Sequence, residues 1–378
     1  MRPAEQGRQR NGWSGGGRRW AVALVAAGVV VIGAVASAGA AGPAATGGGG
    51  SLGAYKTHNL VSDQAGKADV QDKSLVNGWG LSLGPGTFGW VADNVTSVST
   101  LYGGDVAGSP VKKIPLTVAI PGGPPTGTVF NGSNGFVVKS GGKQGPAEFL
   151  FSSMGGQITA WSQAVPPLTT AHTVAKARRA DFTGLAIANT SKGPRLYAPD
   201  FHKRKVDVWN GAFKRVQQKG AFRDPKLPSS YAPFGIDTVQ GHVFVTYAKQ
   251  DSYGVVDVAG PGHGFVDVFS KRGKLLQRFA SHGALNSPWG IALAPKGFGG
   301  ASGDVLIGNF GDGHIDAYRP KSGKFVGPLQ NAQGHKLTID WLWSLEFGNG
   351  VIGTPKTLLF TAGPNSESHG LFGDITPG

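Results

Sequence analysis

The 378-residue chain contains no cysteine, which excludes disulfides, thiolate metal sites and a cysteine nucleophile. Its 63 glycines and 24 prolines follow no collagen period, and the regular apolar runs between them favour a turn-rich β fold over disorder. The net charge of +14, with glutamate confined to Glu5, Glu148, Glu346 and Glu367, suits contact with a polyanion and equally suits a plain soluble surface.

The first segment reads as an address. Arg2, Arg8, Arg10, Arg18 and Arg19 precede an apolar run from Trp20 to about Ala41. Small residues such as Ala36-Ser37-Ala38 crowd its end, as a signal peptidase requires. Residues 1–41 are therefore expected to be a signal peptide or, because the run is long enough to span a bilayer, a signal anchor. Residues 42–54, rich in glycine and alanine, read as a flexible linker. The rest, residues 55–378, reads as a single domain on the outer side of the cytoplasmic membrane, secreted or anchored, with membrane contact only through the leader.

Within that domain a short phrase recurs: an aromatic or small residue, a glycine, then alternating apolar residues. Copies are Trp79-Gly80-Leu81, Thr183-Gly184-Leu185, Phe234-Gly235-Ile236 and Trp289-Gly290-Ile291, with degenerate copies at Gly127-Thr128-Val129 and Trp343-Ser344-Leu345. Six copies at a period of about 50 residues predict an all-β, six-bladed β-propeller. The glycine is expected where inner strands crowd together. Apolar second strands follow, among them Gly89-Trp90-Val91-Ala92 and Asp304-Val305-Leu306-Ile307. Third strands alternate and end in an aromatic, as in Val206-Asp207-Val208-Trp209 and Ile315-Asp316-Ala317-Tyr318. Outer strands are expected at Val111–Leu116, Phe213–Lys219 and Lys274–Phe279. The last repeat runs out of chain, so the segment from Tyr55 to Val61 is expected to pair with it and close the ring.

Loops after the second strands carry the densest polar residues. Asp93, Asn94, Asp200, His202, Asn309, Asp312, His314, Asn365 and His369 are expected at one rim, as candidate binding groups or as ordinary turn formers. A second set follows from aligning the repeats. Ser82, Ala186, Asp237, Ala292 and Glu346 share one position, so Asp237 and Glu346 are candidate channel-lining carboxylates. A divalent cation of the calcium or zinc class at the channel mouth is thinkable there. Three basic runs begin at Lys176, His202 and Lys271, but no reader of nucleic-acid sequence is visible. No nucleophile elbow or zinc-protease helix occurs, so no catalytic residue is assigned.

The motifs Leu60-Val61-Ser62-Asp63, Leu75-Val76-Asn77-Gly78-Trp79-Gly80-Leu81, Ser287-Pro288-Trp289-Gly290-Ile291-Ala292, Gly308-Asn309-Phe310-Gly311-Asp312-Gly313, Phe347-Gly348-Asn349-Gly350 and Phe360-Thr361-Ala362-Gly363-Pro364-Asn365 resemble an uncharacterised family of exported, propeller-like bacterial proteins. That family is itself distantly similar to NHL-repeat and gluconolactonase-like six-bladed propellers. The resemblance spans about residues 55 to 378 and implies export and a six-bladed ring, with no established activity. The chain departs from the family pattern around Trp341, Ser344 and Glu346, where the family is richer in glycine and alanine. The expected function is a monomeric binding protein for an envelope polyanion, a carbohydrate or another protein. The alternatives are a metal-dependent lactonase-like hydrolase and an anchored structural envelope protein.

Overall fold

The computed structural model describes residues 52–217 and 219–378, which lie within one compact unit spanning residues 48–378. The expected leader, and the linker up to Ser51, fall outside the described residues. Six sheets, antiparallel but for one short parallel edge pair in the sixth, follow one another along the chain as blades. Their innermost strands are Gly78–Ser82, Pro125–Phe130, Ala186–Thr190, Tyr231–Val239, Pro288–Leu293 and Leu342–Phe347. The fold is an all-β, six-bladed propeller, and its one described helix is the three-residue 3-10 turn Gly299–Ala301.

The glycine phrase has a measurable cause. A Cβ placed on Gly80 would sit 2.4 Å from the carbonyl oxygen of Thr126, and one on Gly235 would sit 2.2 Å from that of Trp289. Each of these glycines lies where the inner strand of one blade touches the backbone of the next. The contact is stitched by hydroxyls. Thr126 Oγ1 donates to the Phe182 carbonyl at 2.7 Å, and Thr183 Oγ1 donates to the Phe234 carbonyl at 2.7 Å. Thr361 Oγ1 donates to the Trp79 carbonyl at 2.6 Å. Ser344, which replaces glycine in the sixth copy, accepts the Leu81 N–H at 3.0 Å and so joins the last blade to the first.

In the sixth sheet the strand Tyr55–Ser62 runs antiparallel to the C-terminal strand Leu371–Pro377, with Thr57 opposite Ile375 and His58 opposite Asp374. The first and last strands of the described domain thus share one blade. Outer strands form at Lys112–Ala119 and Leu275–Ser281, close to the expected segments. The strand expected at Phe213–Lys219 does not form; the third sheet has three strands, and only a single bridge joins Trp209 to Arg215. Phe213 has φ 58°, so the chain turns back tightly where an extended strand would have to begin. A hairpin of Val137–Ser140 and Lys143–Pro146 is inserted between the first two strands of the second blade.

Candidate functional site

The aromatic residues that precede the glycines converge on the channel axis and fill it. Trp343 stacks on Trp79 at 3.7 Å between ring centroids and lies 4.0 Å from Phe310, 5.7 Å from Trp289 and 5.9 Å from Phe234. All five rings are buried. Trp289 Nε1 donates to the Thr183 carbonyl at 2.8 Å, and Trp343 Nε1 donates to Asn77 Oδ1 at 2.8 Å. These bonds satisfy two indole donors that burial would otherwise leave costly.

Beyond the plug, all six inner strands enclose a cavity of about 280 Å³. Its wall mixes apolar side chains, among them Leu81, Phe130, Leu185, Ile236, Ile291 and Leu345, with polar groups and exposed backbone. Of the five aligned positions, Ser82, Asp237 and Glu346 line it; Ala186 and Ala292 instead enter the hydrophobic cores between blades. Burial pushes the Asp237 carboxyl up to about 6, against one stabilising bond, the Thr238 N–H donated at 2.6 Å. Burial, reinforced by the charge of Asp237, pushes Glu346 well above the ordinary carboxylate range. Both carboxyls of the pair thus hold their protons to higher pH than free carboxylates do, and the charge of one raises the other. Thr128 and Thr238 also line this cavity; their hydroxyls are buried within its wall and have no hydrogen-bond partner among the described residues.

The second-strand loops gather at the opposite end, as strand alternation requires. Most of their polar groups are spent on local structure. Asp93 is fully buried, and burial pushes its carboxyl far up, with Thr100 beside it. Asn94 donates to the Pro125 carbonyl at 3.0 Å. Asp200 accepts the backbone N–H groups of Asp181 and Lys203 at 3.2 and 3.1 Å. Asn309 accepts the Asn286 N–H at 2.9 Å and donates to Asp316 at 2.8 Å. Asp312 accepts from Asn286 Nδ2 at 3.2 Å, and His314 lies 3.4 Å from it. His369 contacts Asp63 at 2.8 Å. His202, which reaches the Gly254 carbonyl at 3.1 Å, and Asn365, bonded to Ser368 at 2.9 Å, are exposed.

Three residues not singled out from sequence join this end. Asn77 donates to Glu367 at 3.3 Å, and Glu367 is raised to about 7 by burial and by the nearby Asp257, itself raised to about 6 by burial. Asn365, Ser366 and Glu367 have consecutive φ values of 56°, 55° and 64°, a left-handed turn that aims Glu367 inward. The strain had no sequence signal, because none of the three is glycine. Of the basic runs, those near Lys176 and His202 meet at this end, where Lys203 Nζ donates to the Arg178 carbonyl. Lys271 and Arg272 line a groove at the other end with Asn189 and Thr190.

For a metal, the channel mouth supplies two carboxyls. Among the described residues a group of three imidazole and carboxyl side chains within 4.8 Å of one another is formed instead by His58, Asp105 and Asp374, in the sixth blade and the turn next to it.

No family model matches the sequence. Uncharacterized protein R648 of Acanthamoeba polyphaga mimivirus is 30% identical over 340 residues, covering 85% of this chain and 80% of that protein. Uncharacterized protein L690 of the same virus is 30% identical over 310 residues, covering 78% of this chain and 79% of that protein. Among solved structures, a structural genomics protein of unknown function from Bacteroides thetaiotaomicron is similar at a TM-score of 0.52 and 10% identity, over 85% of this chain and 76% of that one. The apo-form of the soluble aldose sugar dehydrogenase of Escherichia coli is similar at 0.51 and 12% identity, over 86% and 100%. At these identities the structural likeness concerns the propeller fold alone.

Proposed function

We propose, for a chain that belongs to the same family as uncharacterized protein R648 of Acanthamoeba polyphaga mimivirus, that it is an exported binding protein whose axial cavity takes a small neutral polyhydroxylated molecule of about one sugar ring. The observation that carries this reading is the polar set inside the cavity. Asp237 and Glu346 line it with carboxyls that accept when ionised and donate when protonated, and burial favours the protonated form of each. Neighbouring hydroxyls on a ring match such donors and acceptors. Phe130 and Trp289 also line the space and offer apolar surface to the C–H faces of a sugar. A volume of about 280 Å³ lies at the small end of the range for ligand pockets. A polyanion does not suit this cavity, because its titratable groups are acidic. Export rests on the basic, then apolar, then small-residue order of residues 1–41. No helix among the described residues is long and apolar enough to cross a membrane.

The test is calorimetric titration of the purified chain with hexoses, pentoses and cyclic polyols. Saturable binding is expected for at least one, and it is expected to weaken tenfold or more in both D237N and E346Q. Binding that survives both substitutions, or no binding across the panel, overturns the assignment.

A second reading, a lactonase-like hydrolase, is favoured by the same pair, since two carboxyls raised to different extents by burial can divide the roles of general acid and general base. Turnover of chromogenic lactones that disappears in E346Q is the result that would favour it. A channel metal in such an enzyme would have Asp237 and Glu346 as ligands and would polarise the scissile carbonyl.

A further inference from the structure

Four consecutive blades carry a buried aspartate on the third strand: Asp207, Asp267, Asp316 and Asp374. The first three have fixed partners. Asp207 pairs with Lys205 at 2.8 Å and with Arg215, Asp267 pairs with Arg278 at 3.3 Å, and Asp316 accepts from Asn309. Asp374 breaks the series. Its side chain is 5% exposed, and its neighbours are a histidine and a second carboxyl, with no lysine or arginine among its ion-pair partners in the described residues. The histidine is His58, directly opposite on the strand Tyr55–Ser62, with Nδ1 3.5 Å from Asp374 Oδ2. The carboxyl is Asp105, from the turn that follows the strand Val98–Gly103 of the first blade.

The other face of the imidazole fixes its tautomer. His58 Nε2 lies 3.2 Å from Asp69 Oδ1, so an Nε2–H donated to Asp69 leaves the Nδ1 lone pair facing the two carboxyls. A carboxylate that holds an imidazole in this way is the usual outer support of a metal ligand. One nitrogen and two oxygens within 4.8 Å of one another suit a zinc-class ion, with a fourth position left to water. Calcium and magnesium prefer oxygen ligands throughout and are poorly served by the imidazole. A divalent charge would also offset two carboxylates, Asp374 buried and Asp105 half-buried, that otherwise repel one another or share a proton.

We propose that His58 Nδ1, Asp105 and Asp374 bind a zinc-class divalent cation that clasps the N-terminal strand, the C-terminal strand and the first blade together. The ion would join segments that are adjacent only when the ring is closed, so its binding energy adds to the stability of closure. In the three other blades an arginine, a lysine or an asparagine already neutralises or satisfies the aspartate; the closing blade leaves that place to an exchangeable ion.

The test uses the full chain, stripped with chelator and titrated with zinc chloride by calorimetry and thermal melting. One ion per chain is expected, bound at least about a hundredfold more tightly than calcium, with a melting temperature that rises as zinc exceeds its Kd. D105N should abolish both effects while folding normally, because Asp105 sits in a turn at φ 52°, a conformation that asparagine accepts readily. H58Q should abolish both as well, and H314A, at the rim, should leave both intact. Absence of saturable zinc binding, binding unchanged in D105N, or binding without any rise in melting temperature would each overturn the clasp.

Discussion

At one end of the channel Trp343 touches four other aromatic rings; at the other, Asp237 and Glu346 share an open cavity. Both ends are built by the same inner strands, a few residues apart. The plug end ties several of its polar groups to the protein, the Trp343 indole to Asn77, Asn77 to Glu367 and Asn286 to Asp312, while the Trp79 indole N–H and the Asp93 carboxyl find no partner among the described residues. At the cavity end the Thr128 and Thr238 hydroxyls lack partners among the described residues, and Asp237 accepts the neighbouring Thr238 N–H. A polar group already bonded inside the protein has little to gain from a ligand, whereas an unpartnered buried one gains the full hydrogen bond. Polar density along the sequence therefore marks turns at the plug end, and the scarcer polar positions in an apolar context mark the cavity.

The sharpest way to break the comparison is to empty the plug. W343A removes the ring at its centre and strands the Asn77 carbonyl oxygen, so a loss of about 3–5 kcal/mol is expected by chemical denaturation. A loss below about 1 kcal/mol would mean that the plug does not hold the ring. Next in size is the glycine level between the two ends. G235A would put a Cβ 2.2 Å from the Trp289 carbonyl oxygen, which forces the fourth and fifth blades apart. A cost of about 1–3 kcal/mol is expected. G184A is the control, since a Cβ at Gly184 meets nothing closer than 3.5 Å.

At the cavity end the carboxyl pair should act in the opposite direction. Asp237 and Glu346 hold their protons to higher pH in the folded chain than in the unfolded one. The stability that comes with this protonation is complete below about pH 4 and is lost as pH rises through about 6, where Asp237 titrates. D237N carries no such loss. Its stability relative to wild type should therefore climb across that window, by about 1 kcal/mol after allowance for partial exposure. Denaturation curves at pH 4 and pH 7 decide this; a difference that stays flat between the two would show that the pair is solvated rather than buried. The same substitution is expected to weaken ligand binding, so stability and affinity should move in opposite directions.

What the sequence made legible followed its period. The glycine phrase located the inner strands because at copies such as Gly80, Gly127 and Gly235 the backbone of the next blade leaves no room for a Cβ, and that exclusion leaves its mark on residue identity at a regular interval. Alignment of the copies brought Asp237 and Glu346 to one level for the same reason. Asp257 and Glu367 escaped because they sit in loops whose lengths differ between blades, so no register connects them. The left-handed turn at Asn365–Glu367 lacks the glycine that would have announced it. The third blade lost its expected outer strand to a turn at Phe213, another left-handed residue without a glycine. His58, Asp105 and Asp374 belong to three separate segments. Their one trace in the sequence was the aspartate repeated in the third strands at Asp207, Asp267 and Asp316, which showed the position but not the absence of a basic partner.

The smallest expected effect lies at the rim, and it separates the two ends most cleanly. His202 is exposed and reaches one backbone carbonyl, that of Gly254, at 3.1 Å. Truncation to alanine removes a solvent-competed hydrogen bond from a surface turn, so H202A should change stability by no more than about 0.5 kcal/mol. It should also leave the affinity for any ligand that D237N weakens unchanged, because the aromatic plug lies between the rim and the cavity and its rings are buried. Calorimetry on the two variants side by side reads the contrast directly. If H202A weakened binding and D237N did not, the ligand would sit at the rim, and the cavity behind the plug would be a by-product of ring geometry.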